Sequence, residues 1–101
     1  MSDEKPAFEV RHNTAASRFE ATVAGLLCRA DYRLIDGVMR MHHTEVPAEL
    51  ESRGIASELV RAAFAYAEAN GHKVLPACAY VRIYMKRHPE THALLPDSYR
   101  V

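Results

Sequence analysis

The amino-acid sequence predicts an α+β fold, in which a mostly antiparallel sheet carries a docked central helix and a C-terminal strand–helix crossover completes the chain. Two observations predict this class. The first half alternates apolar and polar residues as half-buried strands do, and the second half changes to helical spacing after residue 54. A chain of 101 residues without repeats or low-complexity segments is expected to form one domain over 1–101.

Four segments of the first half are strand candidates, joined as an antiparallel meander. FEVRHN (8–13) and SRFEATVAG (17–25) alternate apolar with polar residues, and LLCRADYRLI (26–35) is the third candidate. The Asp-Gly dipeptide at 36–37 is a strong hairpin signal, because glycine accepts a positive φ angle at no steric cost. VMRMHHTEV (38–46) then returns as the fourth strand.

The second half predicts a helix, a short strand and a second helix. Apolar residues recur at helical spacing over 55–70 and cover a broad arc, so this helix is expected to lie against a sheet. Gly71 ends it as the residue after the C-cap. HKVLPAC (72–78) supplies the strand, and YVRIYMKRH (80–88) supplies a helix that Pro89 closes. A strand, a helix and a further strand in this order form a crossover onto the same sheet.

Composition and charge argue against several classes of function. The 13 Lys and Arg residues balance 13 Asp and Glu residues, so bulk charge does not support a nucleic-acid or membrane partner. No apolar run approaches the ~20 residues that span a bilayer. MSDEKP (1–6) lacks the character of a signal peptide and is expected to be a frayed terminus. Cys28 and Cys78 form no recognisable framework, and we interpret them as reduced thiols of a cytoplasmic protein.

The start of the first helix, in HHTEVPAELESRGIAS, raises the question of what meets its free backbone N–H groups. The first N–H groups of a helix have no partner within the helix, and the helix dipole adds a partial positive charge there. Gly54 removes the Cβ that would block a close ligand, so phosphate is one candidate occupant. The alternative is that Ser52 is an ordinary N-cap and Gly54 a turn residue.

Several motifs in sequence order resemble the Gcn5-related N-acetyltransferases. ESRGIAS, after a strand ending in HTEVP, is similar to the pyrophosphate-binding loop of that superfamily: Gly54 and Ala56 fit the pattern, and Glu51 stands where Gln or Arg is usual. Together with RHN…RFE, RGIAS…LV, NG.KV.P.C and Y…RHPE, the loop resembles the small YjdJ-type branch over residues 9–92. The resemblance implies a minimal acyl-CoA N-acyltransferase fold that takes acetyl-CoA as acetyl donor, with no metal.

The resemblance also implies how acetyl-CoA would bind. Backbone N–H groups at the start of the helix would face the pyrophosphate. The residues concerned are Arg53, Gly54, Ile55, Ala56 and Ser57. The Ser57 hydroxyl would add a hydrogen bond. The main chain around Glu45 and Val46 would pair with the pantetheine arm like an added strand, where strands 38–46 and 73–78 separate.

The thioester would then lie near His43, Cys78 and Tyr84. An acceptor amine must be neutral to attack it, and a lysine-like amine has a pKa near ~10.4, so a general base is useful. His43 qualifies by residue type. It alternates with Glu45 on one side of its strand, so the two residues are predicted to act together, directly or through water. The alternative is a structural or surface histidine, and His42 is expected to point to the other side.

Two further residues are candidates for the chemistry. Cys78 has three interpretations: an acetyl-cysteine intermediate, a wall of the acetyl pocket, or a small buried apolar residue. Direct transfer is the usual superfamily mechanism and favours the pocket wall. Tyr84 matches the superfamily tyrosine that protonates the departing CoA thiolate; the alternative is a core tyrosine of an amphipathic helix. Arg82, Lys86 and Arg87 on that helix either attract CoA phosphates or form a solvated face.

The sequence therefore predicts transfer of an acetyl group from acetyl-CoA to an amine of an unidentified acceptor, either a small molecule or a protein. The alternative is a module that binds CoA or acetyl-CoA with little or no catalysis, since a short chain leaves little sequence for an acceptor pocket. A third interpretation, a protein-interaction adaptor, predicts no CoA binding at all. Turnover on a panel of amines separates the first two interpretations.

Overall fold

The computed structural model describes residues 8–101 and confirms the predicted α+β architecture. In this part of the chain, five strands form one sheet in the order β1-β2-β3-β4-β5. The strands are β1 Arg11–Asn13, β2 Arg18–Val23, β3 Leu26–Ile35, β4 Val38–Glu45 and β5 Lys73–Pro76. The first four form the predicted antiparallel meander, and β5 lies parallel to β4. The frayed terminus expected over 1–6 lies outside the described residues.

Two α-helices of the described chain follow the predicted positions, α1 at Ile55–Ala69 and α2 at Ala79–Arg87. The first links β4 to β5 and so forms the expected crossover. It ends in a Schellman motif, because Gly71 has a φ of 69° and the His72 N–H donates to the Ala67 carbonyl oxygen at 2.8 Å. Over residues 8–101, no helix has both the length and the apolar character needed to cross a bilayer.

Three details of the chain differ from the sequence-based expectation. The first strand pairs with β2 only over Arg11–Asn13, so it is shorter than the predicted 8–13. Two short 3₁₀-helices, at Ala48–Leu50 and Pro89–Leu94, were not predicted. The first of them buries Leu50 in the link between β4 and α1, a segment for which the sequence predicted no element.

The sheet buries one face and leaves the other face in contact with solvent. Along β2, β3 and β4, buried and more accessible residues alternate, as expected for strands with one covered face. The buried side chains of the sheet pack in one cluster with those of both helices. The sheet contributes Phe19, Ala21, Cys28, Ala30, Tyr32, Met39, Met41 and Val74. The opposite, polar surface of the sheet is called the open face below.

A β-bulge at His42 decides which residues of β4 reach the open face. Tyr32 pairs with Met41 and Asp31 pairs with His43, so His42 is an extra residue without an opposite partner. Strict alternation would place His43 and Glu45 on the same face as the buried Met41. The bulge reverses this, and both residues are exposed.

Strands β4 and β5 separate after a short stretch of parallel pairing. The ladder runs from Val38 opposite Lys73 to Met41 opposite Pro76. The Cys78 N–H then donates to the Met41 carbonyl oxygen at 2.9 Å, and β4 continues to Glu45 without β5 beside it. The separation predicted between strands 38–46 and 73–78 is therefore present, and it positions the site described next.

Candidate functional site

A cavity of about 510 Å³ lies where β4 runs beyond β5 and α1 begins. Three segments and one side chain of α2 line it: 44–46 at the end of β4, 50–52 in the link, 54–57 at the start of α1, and Tyr80. Its size is within the usual range of small-molecule sites. The fold thus brings a strand edge and a helix N-terminus to the same opening.

The start of α1 presents to this cavity backbone N–H groups that have no partner among the described residues. Gly54 is the N-cap residue in the left-handed conformation, with a φ of 77°, and no side chain caps the helix. Ser52, the alternative cap, does not act as one. The first helical bond joins the Glu58 N–H to the Gly54 carbonyl oxygen at 3.1 Å, so the N–H groups before it have no acceptor within the helix.

The surroundings of Gly54 leave room for a ligand. A Cβ added at Gly54 would meet no heavy atom within 4 Å, so the backbone can be approached closely. The helix dipole places partial positive charge at the same point. The arrangement has the two properties that an anion site at a helix N-terminus requires, free donors and open access.

Most of the residues predicted to bind the acetyl donor line this cavity. They are Val46, Gly54, Ile55, Ala56 and Ser57, together with Glu45. Arg53 is exposed and is absent from the lining. Thr44, Leu50 and Tyr80 line the cavity and were not singled out from the sequence. Tyr80 had a usable signal, because it lies four residues before Tyr84 and so shares its side of the helix.

His43 and Glu45 form a contact on the open face, as their spacing predicted. His43 Nε2 lies 3.2 Å from Glu45 Oε1. Arg29 donates to the same carboxylate oxygen at 2.9 Å and also donates to Asp31. The hydrogen bonds from His43 and then from Arg29 lower the pKa of Glu45, so this carboxylate stays ionised and keeps its hold on the imidazole.

Cys78 lies beside the cavity without lining it. Its thiol donates to the Thr44 hydroxyl oxygen at 3.5 Å, and Thr44 lines the cavity. The residue is half-buried, at the N-cap of α2, and it is a free thiol. Cys28 is also free but fully buried, and burial raises the pKa of its thiol, in agreement with the packing role expected for it.

Tyr84 packs one helical turn away from the cavity. Its ring stacks on His88 with centroids 4.2 Å apart and meets the edge of Phe64 at 5.6 Å. It lines a smaller neighbouring cavity of about 200 Å³ that also contacts Ser57 and Tyr80. Burial, followed by the neighbouring Tyr84, raises the pKa of Tyr80.

The predicted catalytic residues therefore occupy three positions around one opening. His43 and Glu45 are in contact on the open face, Cys78 lies behind Thr44, and Tyr84 lies in the adjoining cavity. Within residues 8–101 no group of three or more His, Cys, Asp or Glu side chains is arranged to hold a metal ion.

Comparison with known proteins places this chain beside the N-acetyltransferases at the level of a family model and of a solved fold. The model of a family described as GCN5-related N-acetyl-transferase matches residues 18–94, which is most of the chain. A GCN5-like candidate N-acetyltransferase from Staphylococcus aureus, whose structure was solved by NMR in solution, superposes with a TM-score of 0.72 at 19% sequence identity. The match covers 91% of this chain and 91% of that chain. At this identity the likeness concerns the fold alone.

Proposed function

Because the chain belongs to the GCN5-related N-acetyltransferase family, we propose that it binds acetyl-CoA and transfers the acetyl group to an amine. The observation that carries the proposal is the uncapped start of α1, which opens into the cavity at the separation of β4 and β5. An acyl-CoA ester offers a pyrophosphate for the helix N-terminus and amide groups for the free edge of β4. The cavity of about 510 Å³, called the donor cavity from here on, joins the helix N-terminus to the free edge of β4.

In this proposal the first turn of α1 holds the pyrophosphate. The N–H groups of Gly54, Ile55 and Ala56 donate to phosphate oxygens, and the Ser57 hydroxyl adds a further donor. The N–H and C=O groups of Val46 pair with the pantetheine arm as a strand would. These contacts need no induced rearrangement, because the donors already lack partners within the helix.

The donor continues from this cavity into the smaller one beside it. Ser57 and Tyr80 line both cavities, so the two are contiguous. Arg87 lines the smaller cavity together with Tyr84. The thioester and the phosphates of acetyl-CoA lie at opposite ends of the pantetheine arm, so a cavity that receives the thioester beside Tyr84 does not also hold a phosphate. The two alternatives for the basic residues of α2, CoA binding or a solvated face, therefore both remain.

The chain supplies a base and an acid for direct transfer. His43, held by Glu45, accepts a proton from the attacking amine as its nitrogen bonds to the thioester carbonyl carbon. The C–S bond breaks, and a tyrosine hydroxyl gives its proton to the leaving thiolate. Tyr84 is the candidate from the resemblance, and Tyr80, which lines the donor cavity, is the candidate from position. Cys78 takes no part in the transfer and supports Thr44, which lines the cavity.

A second function deserves a test because the candidate groups are spread out. The contact of His43 with Glu45 is on the open face, whereas the Tyr84 ring is stacked on His88 in the adjoining cavity. Such a separation is also what a CoA-binding module with little or no catalysis would show. The two functions share the donor site and differ in turnover.

The first experiment is an NMR titration of the ¹⁵N-labelled chain with acetyl-CoA. In the second, a panel of amines is incubated with the chain and acetyl-CoA, and the products are identified by mass spectrometry. We expect the largest amide shifts at Gly54, Ile55, Ala56 and Ser57, and acetylated product from at least one amine. Binding at these residues without any product would support the module. Absence of shifts at the α1 start would contradict both functions.

A further inference from the structure

A second cavity, of about 410 Å³, lies on the open face of the sheet beside the His43–Glu45 contact. The turn between β1 and β2 walls one side, and side chains of β2, β3 and the bulge residue of β4 form the rest. The lining includes Ser17, Arg18, Arg29, Asp31, Arg33 and His42. This group is called the open-face cavity. It differs from the donor cavity in its lining, which is mainly polar and charged.

At one end of the open-face cavity three carboxylates share two arginines, because Arg18, opposite Asp31, is already paired with Glu20. Arg29 is paired with Asp31 and with Glu45, so one guanidinium serves two carboxylates. Asp31 Oδ1 is buried and has no hydrogen-bond donor among the described residues. A buried acceptor without a donor is costly, and the ammonium group of a bound amine would supply the missing donor while Arg29 stays on the other carboxylate oxygen.

The other end carries positive charge without a partner. Arg33 on β3 lies directly opposite Arg40 on β4, and both side chains are exposed. Like charges at directly opposite positions of a sheet are destabilising. Over residues 8–101 neither arginine forms an ion pair. An anion bound between them would remove the repulsion and accept charge-assisted hydrogen bonds from both.

The two ends lie at a distance that a small molecule can bridge. Asp31 and Arg33 are two residues apart on one strand, which is roughly 7 Å between Cα atoms, and their side chains share a face. The negative end is also the end nearest the proposed chemistry, because Glu45 bonds Arg29 and His43 and lines the donor cavity. A molecule oriented by these charges would present its cationic end to His43.

We propose that the open-face cavity, together with Arg40, His43 and Glu45 beside it on the same face, is the acceptor site and that the acceptor is a small amine that also carries a carboxylate. The carboxylate lies between Arg33 and Arg40, and the amine lies at Asp31 and Glu45. The bound ammonium loses one proton to solvent, and His43 accepts a second proton as the nitrogen attacks. The products are the N-acetylated amino carboxylate and CoA, with one N–C bond formed and one C–S bond broken. This inference rests on the proposed acetyl transfer and adds the class of acceptor to it.

The test uses a series of ω-amino carboxylates, from glycine through β-alanine and 4-aminobutyrate to 6-aminohexanoate, each paired with the alkylamine that lacks the carboxylate. With acetyl-CoA present, we expect kcat/KM to be about tenfold or more higher for the carboxylated member, the factor that one charge-assisted hydrogen bond contributes. The best chain length measures the separation of the two ends. Equal kcat/KM values within every pair would overturn the proposal.

Matched arginine variants locate the effect. Arg33→Gln should abolish the preference for the carboxylated member, whereas Arg11→Gln should retain it, since Arg11 is an exposed arginine of the same sheet outside the open-face cavity. A preference that survives Arg33→Gln and Arg40→Gln together would place the carboxylate elsewhere and refute the proposed site.

A titration without acetyl-CoA separates this inference from the proposed function. Adding the best ω-amino carboxylate to the ¹⁵N-labelled chain should shift the amides of Asp31, Arg33 and His42, and the matched alkylamine should not. These shifts would support the cavity even if acetyl-CoA failed to bind and the proposed transfer were wrong. Acetyl-CoA binding and turnover without them would refute the cavity alone.

Discussion

Replacing Gly54 by valine should remove acetyl-CoA binding while leaving the chain folded. Gly54 has a φ of 77°, in a region that L side chains rarely adopt, and its missing Cβ faces open space at the start of α1. Valine puts a branched side chain where the pyrophosphate would approach the N–H groups. The variant therefore carries two costs, strain in the free protein and obstruction in the complex, and the experiment must separate them.

The strain can be matched at a second position. Gly25, in the turn between β2 and β3, also has a φ of 77° and also has no heavy atom within 4 Å of an added Cβ. The left-handed conformation costs an L residue about 1–2 kcal/mol or more. For a domain of this size each kcal/mol corresponds to about 4–8 °C in Tm. Gly25→Val and Gly54→Val should therefore lower Tm by similar amounts, on the order of 5–15 °C.

The response to ligand should then distinguish the two variants. At a concentration 100 times Kd, a ligand that binds only the folded state adds about 2.7 kcal/mol of stability. This raises Tm by roughly 10–20 °C in the unsubstituted chain and in Gly25→Val. We expect almost no rise in Gly54→Val, by differential scanning calorimetry with acetyl-CoA. An equal rise in both variants would show that the α1 start is not the donor site. Gly54→Ala provides a milder variant should valine prevent folding.

Four further predictions concern single side chains. Cys78→Ala should keep most activity, because the thiol lies behind Thr44 and contacts the cavity only through it; a thioester on Cys78, seen by intact-mass analysis and passed on to an amine, would contradict this. A plot of the transfer rate against pH should be bell-shaped, and its acidic limb should shift or disappear in His43→Gln. Tyr84→Phe should lower turnover by about 10²- to 10⁴-fold with nearly unchanged acetyl-CoA affinity. A larger loss in Tyr80→Phe would assign the acid to that residue instead. Desolvation lowers the pKa of His12 in the folded chain, so as pH falls His12 is protonated in the unfolded chain before it is protonated in the folded chain. The free energy of unfolding should therefore decrease as pH drops below about 6.5. Denaturant titrations at several pH values should show a smaller decrease in His12→Gln; an equal decrease in the variant would mean that other groups cause it.

The architecture could be predicted from the sequence because each element has a local signal. Alternation marks the strands, Asp-Gly at 36–37 marks a hairpin, and helical spacing with Gly71 at its end marks α1. These signals depend on neighbouring residues only. The contact of His43 with Glu45 could also be predicted, because residues two apart on a strand share a face. Their spacing does not say which face of the sheet that is.

What the sequence could not predict depends on contacts distant in the chain. The bulge at His42 has no local signal, yet it sends His43 to the open face and brings Thr44 within reach of Cys78. The 3₁₀-helix that buries Leu50 forms because the core accepts that side chain, since three residues are too few to show a periodic pattern. The open-face cavity joins residues of three separate strands and a turn, and no motif connects them.

The division of the sheet into a buried face and an open face has a consequence for how this chain could change over evolutionary time. Substitutions at exposed positions such as Arg33 and Arg40 usually alter the free energy of unfolding by less than about 0.5 kcal/mol, whereas truncating a buried residue such as Leu59 costs about 2–5 kcal/mol. A domain this small has only about 5–15 kcal/mol in total. If the open face binds the acceptor as proposed, mutations there can change the acceptor with little loss in the free energy of unfolding. The chain is therefore a suitable starting point for directed evolution of acyl transfer.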